Sequence, residues 1–85
     1  MQVKLVYFAW VRERVGKTDE NVEVPNDVGT MAELIAWLRS RGEEYEYAFE
    51  NEGVVRAAID HTHVKSDAAI AGAREIAFFP LMTGG

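Results

Sequence analysis

The residues best suited to chemistry are the last ones, Leu81-Met82-Thr83-Gly84-Gly85. Glycine has no Cβ, so two in series make the thinnest peptide a protein can offer. Such a tail can thread a narrow channel in another protein. Five extended residues reach roughly 17 Å, enough to hold Gly85 clear of a folded domain. Its carboxylate is then an unhindered acyl group. Activated as an acyl-adenylate and attacked by a sulfur donor, it would become a thiocarboxylate, a sulfur nucleophile that needs no cysteine. The chain has no cysteine. Gly84 and Gly85 are therefore the candidate reaction-site residues, and Leu81, Met82 and Thr83 the candidate channel residues. A terminal Gly-Gly also fits a frayed end or an expression scar.

The other reactive side chains make weaker constellations. His61 and His63 are two residues apart, so an extended strand would aim both to one side, and Asp60 or Asp67 could join them around a metal. No HExxH pattern or cysteine cluster supports this, so turn and interface histidines are the better reading and no metal is expected. Ser40 and Ser66 lack a nucleophile-elbow context. The glycine spacing gives neither a P-loop nor a dinucleotide fingerprint. Trp10 and Trp37 read as core or partly buried residues, and Glu43, Glu44 and Glu46 as a solvated face.

Composition narrows the partners. The net charge is −5, which repels phosphate backbones, so nucleic acid is not expected and a protein with a basic face suits better. No stretch approaches the ~20 apolar residues of a membrane span, and the start, Met1-Gln2-Val3-Lys4, does not resemble a secretory signal. With no cysteine, these features fit a cytoplasmic setting. With 48% hydrophobic residues over 85 positions, one well-packed domain is expected rather than disorder.

The elements that must position the tail follow from periodicity. Residues 2–10 alternate as a strand, with Val3, Leu5, Tyr7 and Ala9 on one face. Residues 11–15 could form a helical turn stopped by Gly16, and 21–24 a second strand pairing antiparallel with the first. The helix over 31–41 is the clearest element. Thr30 and Glu33 have capping-box spacing, and Met31, Leu34, Ile35 and Leu38 form one apolar stripe. Gly42 would supply a left-handed stop. A short second helix is expected within 43–50. Strands follow at 54–60, 63–66 and 75–80, with turns at 60–62 and 72–73.

A hairpin, a helix and then further strands give an α+β protein, with one main helix packed on one face of a mixed sheet. This is the β-grasp arrangement, with the first and last strands parallel at its centre. A domain is expected over 1–80 and a flexible functional tail over 81–85. If Val3, Leu5, Ile76 and Phe78 face the helix, then Val6, Phe8, Ala58, Ala77 and Phe79 form an apolar patch on the open side. Such a patch reads as an interface, unless Phe8 and Phe79 only cover each other or lie under a loop.

Three segments carry a family resemblance. The end, Ala77-Phe78-Phe79-Pro80-Leu81-Met82-Thr83-Gly84-Gly85, resembles the terminus of MoaD-type proteins, the ubiquitin-like small subunits of molybdopterin synthase. Tyr7-Phe8-Ala9-Trp10-Val11-Arg12-Glu13 is similar to that family's first strand and following turn, and Ala58-Ile59-Asp60-His61-Thr62 to its mid-chain strand and turn. Two segments depart from the pattern. Gly72-Ala73-Arg74 stands where the family often has an acidic turn, and His63 where an apolar residue is common.

The resemblance implies a sulfur carrier with no permanently bound cofactor. An E1-like adenylating enzyme would use ATP to activate Gly85, and a sulfurtransferase system would make the thiocarboxylate. The large subunit of molybdopterin synthase would receive the tail in a heterotetramer, and sulfur would pass to cyclic pyranopterin monophosphate. The carrier is not a catalyst by itself. Phe8, His63 and Phe79 would be contacts with the large subunit, and Arg12 matches a family position. A carrier for thiamin thiazole or tRNA thiolation, a lysine-conjugated modifier, and a plain β-grasp interaction module are the alternatives.

Overall fold

Every second residue of the first strand is driven from water, and this alternation fixes which side of the sheet the rest of the chain covers. In the computed structural model, which describes residues 1–81, strand β1 (Gln2–Tyr7) buries Val3, Leu5 and Tyr7. Helix α1 (Ala9–Val15) leads to β2 (Asp19–Glu23), and helix α2 (Met31–Arg39) to a short α3 (Glu43–Ala48). A single 3₁₀ turn precedes β3 (Val55–Ile59), β4 (Thr62–Val64) and β5 (Glu75–Pro80). The sheet order is β2-β1-β5-β3-β4, with β1 and β5 parallel at the centre and the other pairs antiparallel. This is the expected α+β, β-grasp arrangement.

The core lies between the sheet and the helices. Leu5, Ile76 and Phe78 from the central strands meet Leu34 and Leu38 of α2 and Phe49 beyond α3, all fully buried. The Phe78 ring packs edge-on to Phe49 at 5.1 Å and is stacked with Tyr7 at 6.1 Å, geometries that aromatic quadrupoles favour. The capping box forms as the spacing predicts. The Thr30 hydroxyl accepts from the Glu33 N–H at 3.2 Å, and Glu33 accepts from the Thr30 N–H at 3.0 Å. No helix among the described residues is long and apolar enough to cross a membrane.

Several boundaries differ from the sequence reading for local reasons. Strand β1 stops at Tyr7 rather than residue 10, because Ala9 takes a left-handed φ of 52° and turns the chain into α1. Strand β2 starts two residues early, at Asp19, which pairs with Val6 and lies 4.0 Å from the Lys4 ammonium. Gly42 has an extended φ of 166° and leads into α3, so it is not the left-handed stop of α2. The chain leaves β4 at Val64 because the following loop turns to α2. There the Ser66 and Ala68 carbonyls accept the Ala32 and Met31 N–H groups at 2.8 and 2.9 Å, satisfying donors that a helix start leaves without partners.

Candidate docking face and tail exit

Strand register assembles the candidate surface from all five strands. On the open side of the sheet one row runs Asp19, Val6, Ala77, Ala58, His63. The next row, toward the end of β5, holds Phe79 opposite Arg56. Phe8 lies beside it, one residue past β1, where its N–H donates to the Phe78 carbonyl at 3.0 Å. Phe8 is 49% exposed, a large apolar side chain left in water. The His63 and Phe79 rings are 5.1 Å apart. Ala58 faces outward as parity requires, yet it is only 6% exposed, since a methyl between Ala77 and His63 lies below the longer side chains around it. Phe8, His63 and Phe79, far apart in sequence, thus share one face.

The tail leaves from the same end of the sheet. The Leu81 N–H donates to the Val54 carbonyl at 2.8 Å, which extends the β3–β5 ladder by one residue. Leu81 is exposed. Met82, Thr83, Gly84 and Gly85, the rest of the expected channel and reaction-site residues, lie outside the described residues. Among the described residues no group of three or more His, Cys, Asp or Glu side chains could hold a metal ion. Asp60 has a structural task instead: its carboxylate accepts from the Arg74 and Glu75 N–H groups at 3.1 and 2.9 Å and ties the β3–β4 turn to the start of β5.

Behind the face, a polar network that the sequence does not announce holds β1 and β2 to the helices. Glu20 Oε2 accepts from the Tyr7 hydroxyl at 2.8 Å and the Tyr45 hydroxyl at 2.6 Å. Arg41 lies 3.3 Å and Lys17 3.6 Å from its other oxygen. Burial works against the Glu20 charge, but the bonds from Tyr45 and Tyr7 and the two cations outweigh it and hold the carboxyl below its usual range. Burial, with the same carboxylate beside it, pushes the Tyr7 phenol far upward, so Tyr7 remains a donor. These residues are scattered from position 7 to 45, and no local spacing links them. Arg56 was also missed by the sequence reading. Its parity with Ala58 in β3 is the signal that places it on the docking face.

A five-stranded sheet in this order, crossed by one main helix, defines a ubiquitin-like β-grasp protein. The ThiS family model matches residues 5–85, and the chain belongs to that family. Over 83 residues it is 37% identical to the molybdopterin synthase sulfur carrier subunit of Escherichia coli (strain K12), a match covering 98% of this chain and 99% of that one. The sulfur carrier subunit of the same name from Haemophilus influenzae is 30% identical, with the same coverage. The resemblance to MoaD-type proteins is thereby borne out. Among solved structures, small archaeal modifier protein 1 of Haloferax volcanii matches with a TM-score of 0.69 at 20% identity, covering 93% of this chain and 95% of that one, which supports the fold.

Proposed function

We propose that this protein is the sulfur carrier subunit of a molybdopterin synthase and works through the carboxylate of Gly85. The observation that carries the reading is the near full-length match to two proteins of that name, on a chain whose exposed Phe8 and whose Phe79 flank the point where a Gly-Gly tail departs. In the proposed cycle a Gly85 carboxylate oxygen attacks the α-phosphorus of ATP on an E1-like enzyme, and pyrophosphate leaves. A sulfurtransferase persulfide then attacks the acyl carbon and displaces AMP, and a thiol reduces the resulting acyl disulfide, leaving the thiocarboxylate and a disulfide. The large subunit receives Leu81 to Gly85, with Phe8, His63 and Phe79 seated against it; the thiocarboxylate sulfur displaces an oxygen substituent from carbon of cyclic pyranopterin monophosphate, and water then cleaves the acyl–sulfur bond, returning Gly85 as a carboxylate. No cofactor stays bound to the carrier. The division of labour is physical: a rigid face supplies affinity, and a tail without side chains at its tip supplies reach.

Intact-mass measurement on the protein purified from cells holding the activation system tests this. A species heavier by the difference between one sulfur and one oxygen atom is expected. Deleting Gly85 should abolish it, and sulfur transfer with it, while the circular dichroism spectrum and binding to the large subunit persist. Transfer that survives the deletion, or a product consisting only of lysine conjugates, would rule the carrier role out.

A further inference from the structure

The distribution of cations over the docking face is uneven. Of nine Lys and Arg residues, Lys4, Arg14, Lys17, Arg39 and Arg41 pair with carboxylates. Among the described residues Arg12, Arg56, Lys65 and Arg74 make no such pair. Arg56 and Lys65 adjoin the last paired residues of the β3–β4 ladder, Ala57 and Val64, and both border the edge groove between these strands and α2, which Glu52 also lines. Both are exposed. Arg56 sits across from Phe79, beside the strand end that leads to the tail, and among the described residues its guanidinium donates to the Gly53 carbonyl at 3.4 Å.

The other end of the same face carries charges of both signs, with Lys4 beside Asp19 and Arg74 beside Asp60. Asp19 stands opposite Val6, and Glu75 is paired with Lys4 across the central strands. Asp60 closes the β3–β4 turn at that end. In a chain of net charge −5, two cations that pair with no carboxylate among the described residues oppose the overall field at the end of the sheet where β5 finishes. Their partner chemistry is therefore local and carboxylate-bearing.

We infer that Arg56 and Lys65 orient docking by meeting carboxylates on the rim of the channel that receives the tail. The inference rests on the sulfur-carrier reading and adds to it the chemistry of the receiving surface. Charges at the edge of an interface act mainly on encounter and register. They would bring the correct end of the sheet to the channel mouth before Phe8 and Phe79 desolvate.

The test is the association rate of the full chain with the large synthase subunit encoded in the same genome, measured by stopped flow at low and high salt. Arg56→Glu and Lys65→Glu should each slow association by about tenfold at low salt, leave the dissociation rate close to that of the unaltered chain, and lose most of the effect at high salt. Arg74→Glu is the control. It changes the net charge equally but sits at the far end of β5, so it should slow association much less. Equal slowing by Arg56→Glu and Arg74→Glu, or no slowing by either, overturns the inference while leaving the carrier reading intact. If the unaltered chain does not bind the large subunit, the carrier reading fails first and the inference falls with it. All three side chains are exposed, so unchanged thermal melting is expected of the variants.

Discussion

Glu20 shows how one side chain can be illegible in sequence and central in structure. Composition presents Asp19-Glu20-Asn21 as a polar stretch, and the sequence reading starts the second strand only after Glu20. In the folded chain Glu20 gathers two tyrosine hydroxyls and two cations. Its carboxyl is held below the usual range, so its ionised form favours the folded state. This contribution is complete above the unfolded value of about 4.3 and disappears as the pH falls through the lower folded value. Glu20→Gln should cost about 1–3 kcal/mol at neutral pH, since it leaves buried polar partners imperfectly paired. In urea titrations the gap between the two proteins should narrow as the pH falls from 6 toward about 3. A gap that stayed constant would show that the charge is not what the network uses. Phe8 and Phe79, by contrast, were readable as open-face residues from alternation alone, because a period of two leaves large apolar side chains on that side.

At the scale of elements, the sequence specifies what local chemistry dictates. The capping box and apolar stripe of α2, the alternation of β5 and the left-handed Gly16 that closes α1 all form. What it leaves open is where a neighbouring element interrupts the pattern: the left-handed Ala9 ends β1 at Tyr7, the extended Gly42 leads into α3, and the loop after Val64 bonds to the start of α2. The β3–β4 turn combines both kinds of information. Ile59 pairs with Thr62, and the two residues between them, Asp60 and His61, have φ of 47° and 73°. Two consecutive positive φ values make a type I′ turn, the geometry that fits twisted strands. A left-handed residue with a Cβ costs roughly 1–2 kcal/mol, so the two positions should respond oppositely to glycine. His61→Gly should raise stability by about 0.5–1 kcal/mol, since its contact with Glu75 at 3.9 Å is exposed and such pairs contribute little. Asp60→Gly should lower stability, because it removes the acceptor for the Arg74 and Glu75 N–H groups. Urea midpoints decide this, and a lower midpoint for His61→Gly would contradict the turn assignment.

For the whole molecule, the parallel pair at the centre of the sheet dominates. Leu5 lies beside Ile76 and Tyr7 beside Phe78, so the middle of the sheet joins residues about seventy positions apart. The core residues Ile76 and Phe78 are both fully buried. A chain ending at Arg74 should therefore show no cooperative thermal unfolding and a largely disordered circular dichroism spectrum. A sharp transition in that fragment would mean the hairpin and α2 suffice for folding. The fold class was legible because hairpin, helix and strands come in an order that few architectures accommodate. The candidate docking face was legible in part: parity supplied its apolar members, but the placing of Arg56 and Lys65 side by side appears only when β3, β4 and β5 are set in register.

That central pairing has a consequence during synthesis. Until residues 75–80 have emerged from the ribosome, β1 lacks its inner neighbour, and long-range strand pairing of this kind is late and slow. An aborted polypeptide therefore stays open to proteases and presents no finished surface to a receptor. Under the proposed function, the cell is thereby spared well-folded decoys that occupy a partner while carrying nothing to deliver.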